Sequence, residues 1–227
     1  MNLLNNWQSI LYSLPGILLG LTFHEYCHAL AAYKLGDTTA RDEGRLTFNP
    51  LKHIDIIGFL FIIFAGFGWA KPVHFNPNNL RNYRRDKAII AAAGPASNMV
   101  MAFLFIGLIR LWLHLYDSAW TSGNPDRMLS ILLSEPVTVT ISVLIQAAAI
   151  NIGLMVFNLL PLPPLDGSHI FLSGLNLRPE TVYRIMRIGA PMLFILIMIQ
   201  NFTSVNILPI GALIRIILAF FIPELVS

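Results

Sequence analysis

The chain has 227 residues, 56% of them hydrophobic and only 12% charged, and a mean hydropathy of +0.66. A soluble domain of this length needs far more charge to cover its surface, so the composition excludes that class and indicates a protein that crosses a membrane several times. Cys27 is the sole cysteine, which excludes an internal disulfide, and the net charge of +3 is spread unevenly along the chain.

The first apolar stretch covers residues 10–33. The segment before it, "MNLLNNWQSILYSLPGILLG", has no basic n-region and no small-residue cleavage site, so it reads as the start of a retained helix. Gly16 and Gly20 form a G-x-x-x-G pair, a spacing that favours close helix contact. The same stretch continues as "LTFHEYCHALAAYK", residues 21–34, and here a helix otherwise fit for lipid carries two histidines and a glutamate. A charge at the bilayer centre costs about 2.5–3.5 kcal/mol on insertion scales, so the trio needs a compensating purpose. His24 and His28 are spaced i, i+4 and lie on one helix face. Two imidazoles so placed can hold one Zn²⁺, and Glu25 stands beside it as general base for a hydrolytic water, the HExxH arrangement. The competing reading is a His/Glu cluster satisfied by neighbouring helices or lining a proton path.

Residues 34–87 carry nine basic side chains: Lys34, Arg41, Arg45, Lys52, Lys71, Arg81, Arg84, Arg85 and Lys87. Within them lies a second apolar stretch, 54–70. If it crossed the bilayer, the basic run "RNYRRDK" at 81–87 would lie outside, against the positive-inside rule. It is therefore expected to be a re-entrant or interfacial element. The short alternating runs "RLTFNP" (45–50) and "KPVHFNP" (71–77) flank it and are expected to be strands stopped by turns, with Gly66 and Gly68 easing the return.

Spans are predicted next at 88–113 and 131–160. The segment 115–130 between them holds Arg127 as its one basic residue, and Trp112, Tyr116 and Trp120 suit an outer interface. After the second of these spans stands "NLLPLPPLDGSHI", residues 158–170. Its prolines end the helix and Gly167 permits a tight turn, so Asp166 can point back at the bundle as a third metal ligand. Alone, this would be an ordinary loop. Arg178, Arg184 and Arg187 follow, and then a C-terminal pair of apolar stretches at about 185–203 and 207–222, the second interrupted by Arg215. The chain is thus expected to be an all-α bundle of about five transmembrane helices plus the re-entrant element. The N-terminus is expected outside, and the site toward the cytoplasmic side of the cell membrane. The depth of the ligands agrees: His28 lies about 9 Å from the helix end at about 1.5 Å per residue, and Asp166 reaches that side only if 54–70 does not cross.

Four stretches together carry a family resemblance: "HEYCH" (24–28), "GWAKPV" (68–73), "AAAGPASN" (91–98) and "NLLPLPPLDG" (158–167). The chain resembles the site-2 protease family of intramembrane zinc metalloproteases, peptidase M50, in its short bacterial branch without a PDZ or CBS domain. The similarity runs from about residue 15 to 175. It implies one domain over 1–227, with a catalytic core at about 8–175 and C-terminal helices at about 183–223. It also implies one Zn²⁺ per chain held by His24, His28 and Asp166, with Glu25 as base and Asn98 and Asn158 aiding substrate or oxyanion binding. The implied activity is hydrolysis of peptide bonds within or near transmembrane segments, as in regulated intramembrane proteolysis. The expected partners are a transmembrane protein substrate and membrane lipid, with no nucleic acid. A proton-coupled transporter or channel using the His/Glu/Asp cluster as a relay is the alternative. "LDGSH" departs from the second glycine or basic residue of many relatives and leaves His169 without a role. Cys27 reads as a buried thiol, and His53, His74 and His114 as polar anchors near interfaces.

Overall fold

The computed structural model describes residues 7–65, 68–121, 125–203 and 207–225, and among these it contains helices and no strand. In chain order the helices are α1 (Trp7–Lys34), α2 (Thr39–Asp42), α3 (Ile56–Ala65), α4 (Tyr83–Trp120), α5 (Pro125–Leu132), α6 (Glu135–Asn158), α7 (Asp166–Gly174), α8 (Pro179–Phe202) and α9 (Ile210–Phe221). Asn82 caps α4 by accepting from the Arg85 N–H, and Asp86 reaches back to the Asn82 N–H at 2.9 Å. The span expected at 131–160 is α6, with residues 131–132 belonging to the end of α5. Pro136 in the first turn of α6, behind Ser134 as N-cap, starts a new helix there and separates α5 from it.

The core is a three-helix packing of α1, α4 and α6, with α7 laid on α4 and α9 on α6. Met101, Phe105, Ile106 and Ile109 of α4 meet Ala147, Ala148 and Ile152 of α6 in one apolar cluster. The G-x-x-x-G pair does what its spacing suggests. A Cβ on Gly16 would lie 2.6 Å from the Ala147 Cα, and one on Gly20 would lie 2.8 Å from Leu154 Cδ1. The backbones of α1 and α6 therefore touch. In α8 only Gly189 and Leu193 are buried, and Gly189 sits against Pro163.

Length and composition qualify three of the five expected spans for crossing a membrane: α4, α6 and α8. α1 is 28 residues long, but its polar side chains keep it out of that group. α9 has 12 residues, about 18 Å at about 1.5 Å per residue against a hydrocarbon core of about 30 Å.

The strands expected at 45–50 and 71–77 are absent, and the reason is a buried arginine. The Arg45 guanidinium donates to the carbonyls of Lys52, Lys71 and Pro72, so acceptors that a ladder would use go to a side chain. Asn49 and Asn76 then cap short 3-10 turns at Pro50–Lys52 and Pro77–Asn79. Pairing survives only as an antiparallel bridge between Ile54 and Ala70, beside a Lys71 N–H to His53 C=O bond of 2.8 Å. The bridge joins the two ends of the α3 segment. Gly58 and Gly68 approach so closely above it that a side chain on either would strike the other's segment. Gly68 thus serves close approach, and Gly66 lies outside the described residues. Below the bridge, Gly36 ends α1 with a φ of +105°, a conformation that favours glycine. The buried carboxylate of Asp37 follows and accepts from the Asn76 N–H (2.8 Å), Asn79 Nδ2 (2.7 Å) and Thr39 Oγ1 (2.7 Å).

Candidate metal centre

Helix α1 supplies His24, Glu25 and His28, all buried, and the i, i+4 spacing brings the two imidazoles edge to face with ring centroids 4.6 Å apart. The third group comes from the first residue of α7. At Gly167 the chain passes so near the carbonyls of Leu159 and Leu160 that a Cβ would collide, so this glycine lets α7 fold back on the end of α6. Asp166 is thereby aimed at α1. Its Oδ2 lies 3.1 Å from His24 Nε2 and 3.3 Å from His28 Nε2, and the two Nε2 atoms are 3.0 Å apart.

These three atoms fit a metal. The Ile90 carbonyl can only accept, so His28 Nδ1, 2.7 Å away, carries a ring proton, and in the neutral imidazole His28 Nε2 then presents a bare lone pair. Asp166 Oδ2 is buried and receives no hydrogen bond. Lone pairs turned on one another in a buried site need a cation between them. Their 3.0–3.3 Å separations match the edge, about 3.3 Å, of a tetrahedron whose corners lie about 2.0–2.1 Å from a central zinc. Two histidines and a carboxylate are also the donor set of a zinc site that keeps one position open.

Glu25 lines the cavity next to this cluster and makes no hydrogen bond to any described residue. The cavity measures about 860 Å³. Its walls are apolar, with Ile17 and Leu21 of α1, Ile62 of α3, Trp69, Leu154 of α6 and Ile214 of α9. Asn158 also lines it, its side-chain NH₂ donating to Leu154 C=O at 3.0 Å. Asn98 is fully buried behind His24, with Oδ1 2.7 Å from His24 Nδ1. His169 lines the cavity one turn after Asp166, and its Nδ1 is buried without a hydrogen-bond partner. Cys27 is partly exposed and outside the ligand cluster. His53 is buried on the Thr47 carbonyl, while exposed His74 meets Glu43 at 3.4 Å.

The sequence reading passed over two residues of this site. Gly94 of α4 faces the imidazoles so closely that a Cβ would strike His28 Nε2 and lie 2.6 Å from His24 Cε1. Its signal is the Gly-Pro pair inside an apolar helix. Asn151 of α6 donates to Ala147 C=O at 2.9 Å and accepts from Asn98 at 3.0 Å. A lone amide in an apolar span is costly enough to have marked it.

A family model described as Peptidase family M50 matches residues 12–200. Among curated relatives, the protein named "Putative zinc metalloprotease YwhC" from Bacillus subtilis is 40% identical over 163 residues, covering 70% of this chain and 67% of that protein. Two others with names of the same form are Rip2 from Mycolicibacterium smegmatis and MJ0611 from Methanocaldococcus jannaschii. Rip2 is 31% identical, over 74% of this chain and 58% of its own length. MJ0611 is 29% identical, over 70% and 68%. No solved structure gives a significant match to the chain.

Proposed function

The chain belongs to peptidase family M50, and on that premise we propose that this zinc metalloprotease hydrolyses peptide bonds within or near the transmembrane segments of membrane proteins. One observation carries the reading. Three metal-ligating atoms converge beside a glutamate that makes no hydrogen bond to any described residue, in a mostly apolar cavity of a protein with membrane-length helices.

His24, His28 and Asp166 would hold the zinc. When bound, zinc would supply Lewis acidity, lowering the pKa of a water to about 7 and polarising a carbonyl. The rest of the chemistry belongs to the chain. Glu25, which makes no hydrogen bond to any described residue, takes the proton of the attacking water and returns it to the leaving amine. Asn158 lines the cavity, and by resemblance it would hydrogen-bond the substrate backbone as its carbonyl becomes tetrahedral. Asn98, grouped with it by resemblance, is buried with its Oδ1 2.7 Å from His24 Nδ1. The mostly apolar lining limits the water that surrounds the reacting atoms.

A transmembrane substrate must present an unwound segment here, because an intact helix keeps its carbonyls in internal hydrogen bonds. We place the N-terminus outside and the site toward the cytoplasmic side, since the basic residues cluster at 34–87 and 161–187. Purified protein incubated with a library of single-span peptides, with and without a chelator, tests the function. Zinc-dependent cleavage is expected. Metal-free protein that conducts protons and cuts nothing would instead establish the relay.

A further inference from the structure

We propose that Asn98 and Asn151 are positioning residues that hold His24 in the one tautomer able to bind zinc. The proposal rests on the zinc-site reading above and extends it to the α4–α6 interface, away from the cavity.

Two backbone carbonyls decide the polarity of the whole chain of bonds, because a carbonyl can only accept. The carbonyl of Ala147 draws the Asn151 NH₂ at 2.9 Å, which turns Asn151 Oδ1 toward Asn98. The carbonyl of Gly20 draws the Asn98 NH₂ at 3.0 Å, and the second hydrogen of that NH₂ goes to Asn151 Oδ1, also at 3.0 Å. Both hydrogens of the Asn98 amide are then used, and its oxygen is left facing His24 Nδ1 at 2.7 Å. An amide oxygen only accepts, so Nδ1 must carry the ring proton. His24 Nε2 is therefore bare where it points at Asp166 Oδ2, 3.1 Å away. Inverting the Asn98 amide would put an NH₂ against Nδ1 and drive the proton onto Nε2, among the metal ligands.

The inversion is blocked twice, by Gly20 and by Asn151. Both asparagines are 0% exposed, so no solvent can substitute for a lost partner. Gly20 also makes room for the pair, since a Cβ there would lie 3.1 Å from Asn151 Oδ1. One ring orientation thus depends on the mutual register of α1, α4 and α6.

The test uses the full chain and measures zinc affinity by chelator competition, the visible spectrum of the cobalt-substituted protein, and the melting temperature of the metal-free protein. Asn98→Leu and Asn151→Leu are expected to weaken zinc about 10–100-fold, the usual cost of losing a group that orients a metal ligand. They should also alter the cobalt bands while leaving the metal-free melt near that of wild type. Asn151→Asp is the conservative variant. Its protonated acid can donate to Ala147 and accept from Asn98, so it should restore affinity toward wild type. If the leucine variants fail to fold, the smaller Asn151→Ser carries the same expectation against Asn151→Asp. Unchanged affinity in Asn98→Leu, or affinity lost only in step with the metal-free melt, overturns the proposal. A wild-type protein that takes up no zinc overturns the proposed function itself, which separates the two failures.

Discussion

At the scale of single residues, helix α1 assigns neighbouring side chains to different work. His24 and His28 are fastened from behind, at Asn98 and at the Ile90 carbonyl, whereas Glu25, on the cavity wall, makes no hydrogen bond to any described residue. That contrast separates binding from catalysis. Glu25→Gln keeps the size of the side chain and touches no ligand, so zinc content should stay at one per chain. Cleavage should fall by about 10²–10⁴-fold, the usual worth of a positioned base. Metal analysis and peptide turnover on one preparation check this, and near-normal turnover would remove Glu25 from the mechanism. Gly94 offers a sharper case, because two effects oppose each other. In a free helix Gly→Ala stabilises by about 0.5–1 kcal/mol, yet here the added methyl would strike both imidazoles. Because both rings are held from behind, the clash outweighs the helix gain, and Gly94→Ala should lower the metal-free melt as well as zinc affinity. An alanine variant that binds zinc normally would show that the α1–α4 spacing is looser than the structure has it.

Between elements, the joints are made by small residues and by buried polar side chains. Gly16→Val would push a branched side chain into the Ala147 backbone, and overpacking of this kind typically costs about 1–3 kcal/mol. A thermal melt lowered against that of Gly107→Val, at a glycine with open space around it, checks the expectation. Asp37 ties the end of α1 to the 76–79 turn, and its titration makes that tie pH-dependent. Burial pushes its carboxyl up, but hydrogen bonds from Thr39, Asn79 and the Asn76 N–H outweigh burial and hold it below the ordinary range. A carboxyl lowered by folding stabilises the fold above its unfolded pKa of about 3.9, and loses that contribution as pH falls through the folded value. Asp37→Asn should then lower the melting temperature of the metal-free protein at pH 7 and approach wild type near pH 3. A constant gap across that range would remove the titration from the account. The elements that were legible in the sequence are those written in local spacing. Examples are the i, i+4 histidines, the G-x-x-x-G contact and the turn after Pro164. Those that were not legible depend on partners distant in the chain. Nothing near residue 45 says that its guanidinium will take carbonyls at 52, 71 and 72, so alternation at 45–50 and 71–77 read as strand. The Asn98–Asn151 bond was equally out of reach of local spacing, because it joins residues 53 apart.

For the molecule as a whole, the open matter is which segments cross the bilayer, and everything turns on 54–70. Helix α3 has 10 residues, about 15 Å, which reaches roughly half of a hydrocarbon core of about 30 Å. Its start and the return strand-like segment meet at the Ile54–Ala70 bridge, and Arg45 binds carbonyls on both sides of that neck. Asp37 then ties the turn at 76–79 to the end of α1. Both ends of the segment therefore belong to one polar cluster, and the exposed Ile56, Ile57 and Leu60 are left for lipid. We expect 54–70 to enter from the cytoplasmic side and return to it. Single cysteines at Lys52 and Asn78, both exposed, in a Cys27→Ser background, test this without disturbing Asp37 or Arg45. In intact cells both should resist an impermeant thiol reagent, and both should react once the membrane is opened. Labelling of the Asn78 site alone from outside would mean that the segment spans. The N-terminal end of α4 would then lie across the bilayer from the end of α1, although His28 of α1 hydrogen-bonds the Ile90 carbonyl of α4 at 2.7 Å, so the metal centre could not survive that topology.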